Sequence, residues 1–169
     1  IDYNSFFQKL LLSQANNIKL GFQLISYQDH LWMVYHTALD DIDKNTLIVS
    51  SDFGANTMTS SGYPRQNKIW QRGTALKDAR LIHEGKVTDV GSWGGVMRDG
   101  EVSYTYITRA ITFYSYNTYV WVNNTLVKLD IPDDGQVSGI LNNQLLLGLK
   151  SDWVTEGKTF KQGSLVSLN

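Results

Sequence analysis

The sequence predicts an all-β fold of short antiparallel strands, and three observations carry that reading. Runs of β-branched and aromatic residues recur along the chain, and such residues suit a pleated, half-buried surface. The runs follow one another at intervals of about ten residues, which is the rhythm of an all-β domain. They are separated by Asn, Asp and Gly. With 2 Pro against 14 Gly, the turns must be made by Gly, Asn and Asp, the residues that tolerate positive φ. Strands of this kind build a sandwich, a barrel or a propeller, and periodicity alone does not choose among them.

The elements are taken in chain order. Residues 6–12, from Phe6 to Leu12, read as an amphipathic helix or a buried strand. The break at Ala15-Asn16-Asn17 favours a hairpin, and residues 31–35 read as a strand, so residues 1–42 are expected to form a three-stranded meander. A strand then ends in Asp52-Phe53-Gly54, where glycine permits a positive φ and Phe53 packs inside. A polar turn, Ser60-Ser61-Gly62-Tyr63-Pro64-Arg65, leads to a second strand ending in Trp70-Gln71-Arg72-Gly73-Thr74. Lys77-Asp78-Ala79-Arg80 reads as a short turn before Leu81-Ile82. Gly91-Ser92-Trp93-Gly94-Gly95 reads as a flexible loop with an aromatic tip, and residues 94–100 as an insertion. Residues 102–108 form a strand. Residues 111–116 and 119–122 form two more, with Asn117-Thr118 as the tight turn between them. Asn123-Asn124 and Asn142-Asn143 mark two further hairpins. No Pro-, Ser- or charge-rich linker interrupts the chain, so residues 1–169 are read as a single domain, long enough to bury a core.

Charge and composition narrow the partners. Formal charge is -1, from 15 Lys+Arg against 16 Asp+Glu, without a basic run. Neither a nucleic acid nor an anionic membrane is expected to bind. Cysteine is absent, which excludes disulfides, thiol catalysis and cysteine-ligated metals, while leaving either redox compartment open. No apolar run approaches the ~20 residues of a membrane helix, and no signal peptide is visible. The start at Ile1 is read as that of a processed or excised fragment.

Each candidate for chemistry has a plainer explanation. Asp52-Phe53-Gly54 matches the magnesium motif of protein kinases, but the other kinase motifs are missing. Ser60 to Arg65 is polar and contains glycine, yet a phosphate loop needs Gly-Lys-Ser/Thr opening a helix. Arg65 and Arg72 are expected to pair with Asp52 or Asp89. His30 and His36 would lie about 20 Å apart on one strand, too far to share a metal, and His83 has no nearby Cys or His. Asp40-Asp41-Ile42-Asp43-Lys44-Asn45 lacks the pattern of a calcium loop and reads as a solvated turn. Asn123-Asn124-Thr125 fits a glycosylation acceptor and a hairpin turn equally. Trp70, Trp93, Trp121 and Trp153 are expected within or beside strands, buried with bonded N–H groups. No G-x-S-x-G occurs. No catalytic, cofactor-binding or metal residue is therefore assigned.

The stretch Ser51-Asp52-Phe53-Gly54, Ser-Gly-Tyr63-Pro64-Arg65 and Trp70-x-Arg72-Gly73-Thr74 forms an ordered set. A second set follows: Leu149-Lys150-Ser151-Asp152-Trp153, Gly157-Lys158-Thr159-Phe160, and Gly163-Ser164-Leu165. Together they resemble the N-terminal β-propeller of the prolyl oligopeptidase family of serine peptidases, over residues 43–169. The resemblance implies antiparallel four-stranded blades of a partial β-propeller. At about 40–45 residues per blade the chain would hold roughly three to four. It also implies a role without catalysis, in which the propeller gates access of short peptides to an α/β-hydrolase domain absent from these residues. By the same resemblance the intact enzyme would hydrolyse peptide bonds, after proline, with Ser, His and Asp of that missing domain. Implied partners are the hydrolase domain of the same protein, short peptides, and further copies of the chain through open blade edges. No cofactor is implied. The alternative is a stand-alone all-β module binding peptides or glycans on its aromatics, with Trp93 foremost.

Overall fold

A computed structural model of the chain describes residues 38–168 with their side chains, preceded by the backbone of two strands. Those two, β1 (Gln23–Tyr27) and β2 (His30–Val34), form an antiparallel hairpin. The strand expected over residues 31–35 is β2. The readings of residues 6–12, Ala15-Asn16-Asn17 and His36 lie outside the described residues.

Three sheets follow in chain order. The first is a four-stranded meander of β3 (Ala38–Asp41), β4 (Thr46–Ser50), β5 (Gln66–Gln71) and β6 (Arg80–Glu84). The second repeats that plan with β7 (Gly91–Asp99), β8 (Val102–Ala110), β9 (Tyr116–Val122) and β10 (Thr125–Lys128). The third contains β11 (Gln136–Leu141), β12 (Gln144–Gly148) and, beyond a separate hairpin of β13 (Trp153–Thr155) with β14 (Lys158–Phe160), the strand β15 (Leu165–Leu168). Every pairing is antiparallel. The first strand of the second sheet, β7, packs against β3, β4 and β5, and in turn receives β11. Sheets stacked in series with their first strands side by side make a partial β-propeller.

Residues Leu47, Ile48 and Val49 show why the stack holds. Successive side chains of a strand point to opposite faces, and an uninterrupted apolar run means that both faces are covered. Ile48 joins Val96 and Ile107 in the core between the first and second sheets. Leu47 and Val49 point the other way, onto Trp70 and Leu76, with Phe53 against them. Farther along, Leu145, Leu147 and Leu149 alternate into the core of the third sheet.

The stretch from Gly91 to Gly95 is not a loop. It opens the nine-residue strand β7, which pairs with β8 in unbroken register from Gly91–Ala110 to Asp99–Val102. Glycine ordinarily weakens a strand, but here it allows close approach. A Cβ on Gly94 would lie 2.3 Å from Ile48 Cδ1. Nor do Asn117 and Thr118 form a turn. Both lie in β9, paired with Arg109 and Thr108. The chain reverses at residues 111–115, where Thr112 Oγ1 accepts the backbone N–H groups of Tyr114 and Ser115. The turn signal was the hydroxyl of Thr112, which supports a turn as an Asn side chain does.

The Asn-Asn pairs turn as expected. Asn123, Asn124, Asn142 and Asn143 all have φ between 50° and 64°, a region that Asn enters more readily than most residues. Asn123-Asn124-Thr125 is thus a hairpin tip. A short 3-10 turn, Leu76–Asp78, supplies the expected reversal, and Arg80 already belongs to β6.

Candidate functional site

The densest polar chemistry lies in the seam between the first two sheets. Ser50 closes β4, Asn67 lies on β5, His83 on β6 and Ser92 on β7. The N–H of Gly94 donates to Ser50 Oγ at 2.9 Å, and Ser50 Oγ donates to Asn67 Oδ1 at 2.6 Å. Asn67 Nδ2 donates to Ser92 Oγ at 2.7 Å. Ser92 Oγ and Asn67 Nδ2 then approach His83 Nδ1 at 3.1 and 3.2 Å. Asn67 Nδ2 can only donate, which fits the tautomer with Nδ1 as acceptor and the ring proton on Nε2. Burial, followed by the positive charge of Arg109, pushes the His83 imidazole below its ordinary pKa, against a smaller pull from Asp89 and Glu84. The ring also lies against Tyr119, with centroids 4.9 Å apart.

Beside this chain, the segment joining the sheets is pinned by an ion pair. Asp89, 1% exposed, accepts Arg109 Nε at 2.7 Å, Arg109 Nη2 at 3.0 Å and the Lys86 N–H at 2.6 Å. Burial opposes its charge, but these hydrogen bonds and the charges of Arg109 and Lys86 hold the carboxyl below its usual range. The expected arginine pairings are corrected by the geometry. Arg65 pairs with Glu84 at 2.8 Å and also donates to the carbonyls of Asn56 and Gly85. Arg72 pairs with Asp41 at 2.8 Å. Asp52 instead accepts the Gly54 N–H and the Thr57 hydroxyl.

Carboxylates also join the sheets at their opposite end. Asp40 on β3 accepts the Val96 N–H of β7 at 2.8 Å, and Arg98 reaches back to the Asp41 carbonyl. Asp99 at the end of β7 accepts the Asn142 N–H, in the turn joining β11 to β12, at 2.7 Å. The acidic run from Asp40 is therefore partly a connector; only residues 42–45 form the turn.

Ser92 beside His83 has the residue types of a nucleophile and a base, but not the arrangement. Ser92 is 0% exposed, and the group completing the cluster is an amide rather than a carboxylate orienting the base. The nearby Asp89 is committed to Arg109. The cluster acts as a polar strut within the core. Among the described residues, no three His, Asp or Glu side chains are grouped to hold a metal ion.

The loop from Ser60 to Arg65 is tied down rather than open. Thr59 receives the chain back from Tyr63, and the Pro64 carbonyl accepts the Ser92 N–H at 2.7 Å. Trp93, on β7 and half-buried, meets Tyr63 edge-on at 5.7 Å. Trp70 donates to the Thr74 carbonyl from the core, Trp121 lies beneath Arg80, and Trp153 contacts Phe160. Among the described residues the exposed aromatics are elsewhere: Phe113 and Tyr114, 69% and 85% exposed at the 111–115 turn. Reading that turn as a strand concealed them.

No protein-family model matches the chain. It is 28% identical over 170 residues to an uncharacterized peptidase, RP174, of Rickettsia prowazekii, covering 97% of this chain and 24% of that protein. It is 30% identical over 135 residues to the uncharacterized peptidase y4nA of Sinorhizobium fredii, covering 76% of this chain and 19% of that one. Among solved structures, a post-proline cleaving enzyme from Rickettsia typhi superposes with a TM-score of 0.73 at 29% identity. That match covers 89% of this chain and 23% of the enzyme. The chain is thus related to peptidases of the prolyl-oligopeptidase type. It spans a quarter or less of the length of these relatives.

Proposed function

We propose that the chain is the propeller portion of a prolyl-oligopeptidase-like serine peptidase and gates access of short peptides to a hydrolase domain carried elsewhere in that protein. The observation that carries this reading is the match to the post-proline cleaving enzyme of Rickettsia typhi, in fold and in sequence, over less than a quarter of that enzyme. The seam agrees with it, since Ser92, which meets half-buried His83, is 0% exposed. Acyl-enzyme chemistry would belong to the hydrolase domain.

The test is the longer protein containing these residues. It should cleave a short chromogenic peptide after proline and leave a folded protein intact. The 169-residue chain alone should cleave neither. A coding sequence lacking a hydrolase domain with a Gly-rich serine elbow beyond Asn169, or peptidase activity in the short chain, would sink the reading.

A second consequence concerns the third sheet. Leu141 pairs with Gln144 and Leu165 with Gly148, positions alternating with the buried Leu145 and Leu147 along β12. Leu141 and Leu165 therefore share the outer face, 55% and 63% exposed. On this proposal a further blade covers them in the longer protein. Light scattering of the isolated chain should show self-association, reduced by Leu165→Lys. A strictly monomeric isolated chain would count against an open blade face.

A further inference from the structure

We propose that the Ser50–Asn67–Ser92–His83 chain makes the seam between the first two sheets proton-sensitive, closed while His83 is neutral and loosened when Nδ1 takes up a proton. The inference rests on the direction of the hydrogen bonds and is independent of the peptidase reading.

The chain has a fixed starting point, because the Gly94 amide can only donate. Ser50 accepts from it and passes its own hydrogen to Asn67 Oδ1; Asn67 Nδ2 donates to Ser92. The Ser92 hydroxyl is left to donate to His83 Nδ1. The links from Gly94 to Ser92 have one arrangement, and with the ring as the Nε2–H tautomer the terminus is an acceptor. A proton on Nδ1 places a donor against the Asn67 amide and the Ser92 hydroxyl, both of which already donate there. Ser92 Oγ can accept from the ring as well as from Asn67, but its own hydrogen, in a residue 0% exposed, then loses Nδ1 as acceptor, and Asn67 Nδ2 faces a second donor at 3.2 Å. A buried donor without an acceptor is costly.

The charges facing His83 come from every neighbouring element. Glu84 is next to it on β6, Arg109 faces it from β8, and Asp89 from the connecting segment. Tyr119 covers the ring from β9, while Asn67 and Ser92 meet it from β5 and β7. Burial and Arg109 lower the imidazole below its ordinary value of 6.5. A lowered folded value means that the unfolded chain binds the proton more readily. The stabilisation is therefore complete above about pH 6.5 and declines as pH falls toward the folded value.

The reporter is the backbone amide of Gly94, at the far end of the chain from the imidazole. Its exchange protection, taken relative to the unstructured rate at each pH, should fall about tenfold between roughly pH 7.5 and 4.5. In His83→Gln the same ratio should stay level. The amide of Leu147, in the third sheet, should keep its protection in both proteins. An equal fall in the variant, or an equal fall at Leu147, would overturn the proposal. Ring nitrogen shifts of the unsubstituted protein give a second measurement that needs no variant. They should show the Nε2–H tautomer at neutral pH and protonation of Nδ1 over the range in which Gly94 loses protection. The opposite tautomer, or a ring still neutral at the acid end, would also overturn it.

Discussion

Asp89→Ala is expected to cost about 3–5 kcal/mol of folding stability, the usual penalty for removing one partner of a buried pair. Arg109 would lose both hydrogen bonds from its guanidinium to that carboxylate, and the Lys86 N–H would lose its acceptor. Replacing both partners with apolar residues, Asp89→Leu with Arg109→Met, should recover much of the loss, because no uncompensated charge then remains. Urea unfolding of the three proteins decides the matter. A cost below about 1 kcal/mol for Asp89→Ala would place the pair among surface bridges. The lowered carboxyl pKa fixes the pH dependence: the contribution is complete above the unfolded value of about 3.9 and is lost as pH falls through the lower folded value.

Gly94→Ala is expected to cost about 1–3 kcal/mol through overpacking. Its Cβ would sit 2.3 Å from Ile48 Cδ1 and 2.6 Å from Cγ1, and Ile48 is itself wholly buried. Relief should come from the opposite side of the seam. Ile48→Val removes the nearer of the two atoms, so the double variant should be more stable than the sum of the single costs predicts. Thermal unfolding of the four proteins gives that coupling, expected at about 0.5 kcal/mol or more for groups in contact. Strict additivity would show that the sheets are not held at this distance by the missing Cβ.

The fold was legible where a local rule and the global architecture agree. The pairs Asn123-Asn124 and Asn142-Asn143 announced their hairpins because the conformation demanded of them is one that few other residues accept. Strand β7 was hidden because its glycines obey a tertiary demand, the nearness of Ile48, which has no local signature. The ion pairs were hidden for a related reason. Asp89 and Arg109 are twenty positions apart, and only the register of β8 against β7 brings them together. The cluster at His83 draws one residue from each of four strands, so no spacing within the sequence could have predicted it. The resemblance to prolyl oligopeptidases resolved what periodicity left open, selecting a propeller from among sandwich, barrel and propeller.

The two aspartates on the inner strands give the stack a direction. Asp40, from the first sheet, satisfies an amide of the second; Asp99, from the second, satisfies an amide of the third. In each case the acceptor precedes the donor in the chain. During synthesis the amino-terminal part emerges first, so each new sheet meets a carboxylate already made. Docking in the order of translation would therefore need no carboxylate that has yet to be made, and would offer each new piece a template instead of an unmatched edge.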